Sequence, residues 1–534
     1  MKNRNSVFVI STIALAALLA PLYGPVIRAR AASPAVADDL EPSMQAVARA
    51  LALVEENFAD PVSSERALYQ GAIPGMLHML DPHSNFLDPT EYADMQRRQR
   101  AQYFGVGMEI TMDAGKVVVN RPFPGSPAWN AGMRRGDVIV GVDDNNTVGM
   151  DSTKVADLLR GPRGSQVRVT VRREGFSAPI SATVVRGEIE TSIVDAFWVR
   201  PGIAFLSITG FDAQNVSKDV EANLERLGEN SVNGLILDLR GNLGGLVTEA
   251  VDVAGRFLRN GQVVVSHHGR AESEQVFRAK AKSQAQRYPI VTLVDRQSAS
   301  AAEIVSGALQ DHDRAWVMGE TTFGKGLVQA QFPLSEGAAL LLTIAHYYTP
   351  SGRLIQRDYS HQSFYDYYMA RPVENQNTDD VKATDSGRKV YGGGGITPDE
   401  KYPTPTLNLF QRRVLSVCGP YSPGCFRFGN FYFSGQKPGL PSGWQPDASA
   451  VGRFKEFLGG QHVNFTDADF AANQDWIKDS IQYELYFRAF DKNTADRARW
   501  ENDPEVKAAI ESLPKAEALL KQAQRILARR AAGG

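Results

Sequence analysis

Two stretches of this chain carry residue types that could attack and cleave an acyl bond. In "VTLVDRQSASAAEIVSGALQDH", residues 291–312, a buried apolar run meets a polar turn, and a helical pattern opens at about Ala301. Ser300 then stands at a helix N-terminus, where unpaired backbone N–H groups and the positive end of the helix dipole gather. Such groups stabilise an oxyanion forming beside the hydroxyl. The same position equally suits a plain helix cap, at Ser298 or Ser300. A serine nucleophile needs a base. In "GETTFGKGLVQ", residues 319–329, Lys325 lies between two glycines, is flanked by Phe323 and Leu327, and reads as held in a glycine-flanked strand. Burial favours the neutral, proton-accepting form of a lysine, and Gln329, four residues on, can accept a hydrogen bond from the amine. A third stretch, "LILDLRGNLGGLVTEA" (235–250), reads as a strand, a glycine turn and a helix. Gly244 and Gly245 there can aim backbone N–H groups where side chains would obstruct.

Lys325 also ends a near-match to the phosphate-binding loop of nucleotide hydrolases. That loop requires Ser or Thr after the lysine and a helix opening at the loop. Here Gly326 follows, and then the strand-like "LVQAQFPL". Nucleotide binding is set aside. Among the eight histidines, His312 beyond the serine helix and the pair His267–His268 give no clear base, and a histidine triad stays open as an alternative.

The elements that must position these residues belong to a large chain. It has 534 residues, 43% hydrophobic and 22% charged, with a net charge of -2, which is room for two to four domains and no global field for nucleic acid. Lys2 and Arg4 precede an apolar run over about residues 7–20, and small residues follow at Ala29–Ala31 and Ala35–Ala37. This reads as a signal peptide, the alternative being a membrane anchor through residues 7–27; Pro21, Gly24 and Pro25 shorten the apolar helix below the roughly 20 residues a span needs. The two cysteines, Cys418 and Cys425 in "CGPYSPGC", are expected to form one disulfide in an exported protein, and no metal-ligand spacing surrounds them.

Along the chain, residues 38–100 read as helices. Residues 101–186 hold short β-rich runs broken by Gly, Pro and Asp/Asn turns. Residues 187–403 alternate strand and helix, as in an α/β layer with parallel pairing. Residues 404–534 are loops followed by amphipathic helices, with no role legible.

In this order the motifs resemble those of the carboxyl-terminal processing proteases, or tail-specific proteases. The resemblance covers about residues 40–400 and rests on "GMLHMLDPHSNFLDP", "FGVGMEI", "PAWNAGMRRGDVIVGVD", "LLRGPRGSQVRVTV", "LILDLRGNLGGL", "SASAAEIVSGALQD", "GETTFGKGLVQ" and "GGGGITPD". It implies an α+β multidomain protein: a helical N-terminal part, a PDZ β-domain, an α/β crotonase-like protease core, and here a helical C-terminal extension. It implies a Ser/Lys dyad with Ser300 as nucleophile, Lys325 as general base and Gln329 orienting the lysine, the oxyanion held by the backbone N–H groups of Gly245 and Ala301. No cofactor or metal is implied. In the PDZ part, Phe104, Gly105, Val106 and Gly107 would capture a free C-terminal carboxylate, and the strand after them would pair with the substrate tail. Arg160 and Arg163 are candidates for gating the protease on tail binding. The chain departs from the family at Gln297, usually glycine, and at Ala302, often serine. The reading is a serine endopeptidase of the bacterial periplasm, or of the periplasmic membrane face if anchored, acting on proteins with exposed apolar C-termini. Partners left open are an adaptor protein, the membrane and a second copy of the chain. The alternatives are a catalytically silent PDZ scaffold and a protease dependent on an adaptor.

Overall fold

A computed structural model describes residues 34–99, 104–189, 193–280, 288–360, 364–369, 377–419, 424–434, 436 and 438–532. The expected signal segment lies outside these residues up to position 33; the first helix, Pro34–Asn57, runs across the expected boundary at 37/38. Among the described residues no helix is long and apolar enough to cross a membrane.

The chain divides into two compact units, the smaller made of residues up to 92 together with 330–342. In it, the strand Asn85–Leu87 pairs antiparallel with residues 339–341. Leu77, Phe86 and Ala338 form its small core. Asp81 builds the turn of "DPHSN": its Oδ1 accepts from His83 N and Ser84 N, each at 2.7 Å. The helical part expected over 38–100 therefore also contains a strand, and that strand is completed by a segment more than 240 residues away.

The larger unit begins with an antiparallel sheet of β1 (Met108–Asp113), β2 (Lys116–Pro122), β3 (Val138–Val142), β4 (Gln166–Arg172) and β5 (Ile180–Val185), in that spatial order. Helix α1 (Ser152–Leu159), started by the Asp151 side chain accepting from Lys154 N, packs beside β1. Alternate apolar residues, Val117 and Val119, Val167, Val169 and Val171, close a core with Val155 and Leu159 of α1.

A second sheet contains β6 (Val194–Arg200), β7 (Ile203–Ile208), β8 (Gly234–Asp238), β9 (Ile290–Val294), β10 (Trp316–Gly319) and a short strand, Glu400–Lys401. Its first pair is antiparallel and the others are parallel. The central strands β8 and β9 are buried at every position because both faces are covered. Leu235 and Leu237 face α2 (Val216–Leu227), α3 (Val247–Phe257) and α4 (Ala301–Asp311). Ile236, Val291, Leu293 and Met318 face the opposite way, onto Val506, Ala509, Leu513 and Ala516 of the final helix, Pro504–Ala532. The second cover of the core sheet thus comes from the extension for which the sequence offered no role.

The rest of the extension is a phenylalanine-rich helical cluster. In it the Cys418–Cys425 disulfide joins the helix Leu409–Cys418 to the helix Phe426–Phe433. The β1–β5 domain docks on this cluster. Arg135 donates to both oxygens of Glu484, at 3.0 Å each, and its guanidinium lies 4.2 Å from the Phe487 ring centroid. Arg488 donates to the same carboxylate at 2.6 Å. All three side chains are buried, at 4%, 6% and 0% exposure. Burial works against the Glu484 carboxylate, but the two guanidiniums hold it below its ordinary range. Replacing Glu484 with alanine leaves two buried cations uncompensated. It is expected to cost about 3–5 kcal/mol in chemical denaturation; a loss under about 1 kcal/mol would mean that the docking does not depend on this pair.

Candidate active site

The serine turn is built by hydrogen bonds that leave little freedom. β9 ends at Val294, and the Oδ1 atom of Asp295 accepts from Gln297 N and Ser298 N at 2.9 Å and from Gly241 N at 3.0 Å. One carboxylate oxygen therefore ties the serine turn to the glycine loop. Ser298 Oγ donates to Leu239 O at 2.8 Å, so Ser298 belongs to the turn. Ser300 follows with φ 55° and ψ −113°. A non-glycine residue at positive φ costs on the order of 1–3 kcal/mol and persists only where its surroundings impose it. The geometry is a sharp strand-to-helix elbow that lifts one hydroxyl out at a helix N-terminus, and α4 begins at Ala301 as the sequence predicts. Gln297 lies in the exposed turn, and Ala302 is fully buried in α4.

Glu303 is the residue that the sequence reading missed. It is fully buried at the third position of α4. Its Oε2 accepts from Ser300 N at 2.8 Å and from Lys325 N at 2.9 Å. Its Oε1 accepts from Gly324 N at 2.7 Å and from the Thr322 hydroxyl. Burial pushes its carboxyl above the ordinary range, against the pull of these four donors. The signal was present: Ser300-x-x-Glu303 has the spacing of a helix capping box.

Lys325 sits in the loop 320–326, just before strand β11 (Leu327–Pro333), not within a strand as its glycine-flanked sequence suggested. The following strand also rules out a phosphate loop. Gly324 has φ +85°, and a side chain at Gly326 would meet Gln356 N at 2.9 Å. Both positions require glycine. The loop is pinned by Phe323 N donating to Ser298 O at 3.0 Å and by Gly326 N donating to Gln356 Oε1 at 2.8 Å. "GGGGITPD" closes over it, with Ile396 N donating to Thr322 Oγ1 at 2.7 Å. The half-buried Lys325 amine donates to Gln329 Oε1 at 2.9 Å, as the spacing predicts. A second brace is the fully buried Tyr347, whose hydroxyl lies 3.1 Å from Ser300 O and also meets Lys325 O.

The glycine loop comes against the serine. A side chain at Gly244 would lie 2.7 Å from Ser300 Cβ and 2.9 Å from Ala301 N; one at Gly245 would strike the Phe211–Asp212 backbone. Gly244 N donates to Asn242 Oδ1 at 2.8 Å. The buried Asn242 also binds Ile208 O and accepts from Ala299 N. No acceptor among the described residues takes the N–H of Gly245 or of Ala301. The two backbone donors expected to hold an oxyanion thus remain available for one.

His312 is not near this group. It caps the far end of the eleven-residue α4, about 18 Å from Ser300 at 1.5 Å per residue. Its ring binds Asp385 at 2.8 Å and Val263 O at 2.7 Å, a structural bridge. Among the described residues no three His, Cys, Asp or Glu side chains are placed to hold a metal ion.

In the β1–β5 domain, Phe104–Gly105 pairs with Gly187–Glu188, and Val106 and Gly107 lead into β1. Gly107 has φ +76°, and a side chain there would lie 2.4 Å from Ser126 Cβ. The carbonyls face inward: Gly107 O accepts from Phe123 N and Ser126 Oγ, and Val106 O from Ala128 N. β1 is the edge strand and pairs only with β2 among the described residues, which leaves its outer edge free beside α1. Arg160 pairs with Asp157 of its own helix at 2.7 Å, and Arg163 lies 3.6 Å from Glu188. The arginine that holds the end of α1 is instead Arg186, buried and bonded to Leu158 O and Leu159 O.

Residues 202–360 match the model of peptidase family S41, and residues 118–173 match a PDZ domain. The carboxy-terminal-processing protease of Bartonella bacilliformis is 37% identical over 302 residues, which is 55% of this chain and 68% of that protein. The chain belongs to the carboxy-terminal-processing protease family. A second member, from Synechocystis, is 36% identical over 56% of this chain and 70% of its own length. The solved photosystem II D1 C-terminal processing protease is 33% identical, covering 58% of this chain and 89% of its own, at a TM-score of 0.33. Within this family of serine peptidases, the chain carries its PDZ domain ahead of the protease domain and a helical part after it.

Proposed function

We propose that the chain is an exported, periplasmic serine endopeptidase that captures substrate C-termini with its PDZ domain and hydrolyses peptide bonds with a Ser300/Lys325 dyad. The observation that carries this reading is the single oxygen, Glu303 Oε2, that accepts from the backbone N–H of both Ser300 and Lys325. It fixes the two candidate residues relative to each other although 25 positions separate them. The PDZ domain is assigned to 101–186, the protease core to 187–403 and the extension to 404–534.

Ser300 Oγ attacks the substrate carbonyl while neutral Lys325 takes its proton. The carbonyl oxygen becomes an anion held by the N–H groups of Gly245 and Ala301. On collapse the C–N bond breaks, and the Lys325 ammonium returns its proton to the leaving amine. Water, deprotonated by Lys325, then attacks the Ser300 ester. The acid product leaves and the serine regains its proton. Gln329 keeps the amine aimed. The carboxylate of the substrate tail binds the N–H groups of the Phe104–Gly107 loop, and the tail adds to the free edge of β1.

The test compares wild type with Ser300→Ala on an unfolded protein bearing an apolar C-terminus, either free or amidated. Cleavage by wild type alone is expected, and amidation should raise KM. Equal cleavage by Ser300→Ala would reject the dyad, and indifference to amidation would reject tail capture.

A further inference from the structure

The glycine loop carrying Gly245 is anchored on one side by Asn242 and Asp295, which belong to the protease core. On its other side the anchor is Arg240, and two of its four partner oxygens come from the C-terminal extension. Arg240 Nε and Nη2 donate to the two oxygens of Asp238 at 2.9 and 2.8 Å. Its Nη1 lies 2.7 Å from Glu505 Oε2 and 2.8 Å from Asp503 Oδ2. The guanidinium is 17% exposed and the two carboxylates 17% and 10%, so these are mostly buried, charge-assisted bonds. Asp503 is itself locked, since its Oδ1 accepts from Glu505 N at 2.8 Å.

The helix behind these carboxylates is firmly seated. Pro504–Ala532 packs Val506, Ala509, Leu513 and Ala516 onto the core sheet, and Leu513 fills the space left by Gly234, where a side chain would approach within 2.9 Å. Further along, Ser512 and Lys515 hold Glu400. Next to the loop, by contrast, Arg240, Gly241, Asp295 and Gln297 border an open cavity of about 950 Å³. On that side the ion cluster, with Asp295 holding Gly241 N, restrains the loop in place of packed side chains.

We propose that Asp503 and Glu505 are positioning residues for the oxyanion loop: by holding Arg240 they make the C-terminal extension set the aim of the Gly245 N–H. This rests on the reading of Ser300, Lys325 and Gly245 given above, and it assigns the extension a part in that reaction. The extension touches no substrate. It fixes a backbone donor whose loss costs about 10²–10³-fold where such donors have been removed outright, so a misaimed donor costs less.

The test uses the full chain with Asp503→Asn/Glu505→Gln, which keeps size, removes both charges and leaves each side chain one acceptor oxygen in place of two. It is run at pH 8, above the value of about 7 to which burial pushes Glu505. The expected result is a roughly tenfold lower kcat with KM within about twofold. Affinity for a peptide aldehyde should fall by the same factor, because addition of Ser300 Oγ to the aldehyde carbon creates an oxyanion. PDZ binding of a tail peptide should not change. Lys515→Ala, which weakens the same helix elsewhere, should keep wild-type kcat. A double variant with kcat within twofold of wild type overturns the inference, and so does an equal loss in Lys515→Ala. If the double variant does not fold, Glu505→Gln alone should still lower kcat about threefold with the aldehyde affinity following, and an unchanged kcat overturns the inference. If wild type hydrolyses no peptide, the protease reading fails and the inference falls with it; cleavage by wild type with an unaffected variant sinks the inference alone.

Discussion

Lys325→Ala is expected to lower kcat/KM by about 10⁴-fold or more while leaving tail binding unchanged. The loop around Lys325 is held by its backbone, through Glu303, Ser298 and Gln356, so removing the side chain should not move Ser300. His312 is no base in reserve, for it is bound to Asp385 at the far end of α4. Lys325→Arg sharpens the test. Arginine keeps the positive charge but cannot give up its proton in a protein, so it should be as inactive as alanine. A fluorogenic peptide assay with intact-mass detection of the acyl-enzyme checks both. If arginine retained more than about a tenth of wild-type activity, Lys325 would act through charge and not as a base.

Glu303→Gln is the second large effect expected. Four donors converge on the carboxylate: Ser300 N, Lys325 N, Gly324 N and the Thr322 hydroxyl. An amide offers one oxygen and turns its NH₂ against two of them. Each buried donor left unpaired costs about 1–3 kcal/mol. A loss of about 2–4 kcal/mol in stability is expected, with at least a 100-fold loss in kcat because the elbow and the lysine loop lose their common anchor. Urea denaturation and peptide kinetics would measure the two losses separately. Wild-type kcat in a variant that denatures earlier would show that Glu303 serves the fold alone.

The parts of this picture that were legible in the sequence were local. Ser300 before a helical pattern, the glycines around Lys325 and the Gln329 spacing each sit within a few residues of what they do, and each appears where the motif put it. The alternating pattern of β4, Gln166–Arg172, likewise announced its sheet. What stayed hidden was set by distant partners. An apolar stripe on Pro504–Ala532 says that a helix buries one face but not which surface it covers, and Ile236, Leu293 and Met318 show an answer only when the sheet is folded. The pairing of 85–87 with 339–341 is hidden for the same reason. Glu303 is a different kind of miss. Its capping spacing was readable, but a capping box predicts bonds within one helix, not the two donors that arrive from the lysine loop. Lys325 was read as part of a strand because β11 begins two residues later.

The final helix has one more consequence, for the order in which the chain is made. Synthesis runs from the N-terminus, and domains generally fold as they emerge. The central sheet keeps one apolar face open to water until residues 504–516 arrive to cover it. A chain made only as far as residue 503 therefore has the Ser300 elbow and the lysine loop in a core whose sheet is covered on one face alone. Birth and the closing of the core are thus separated in time.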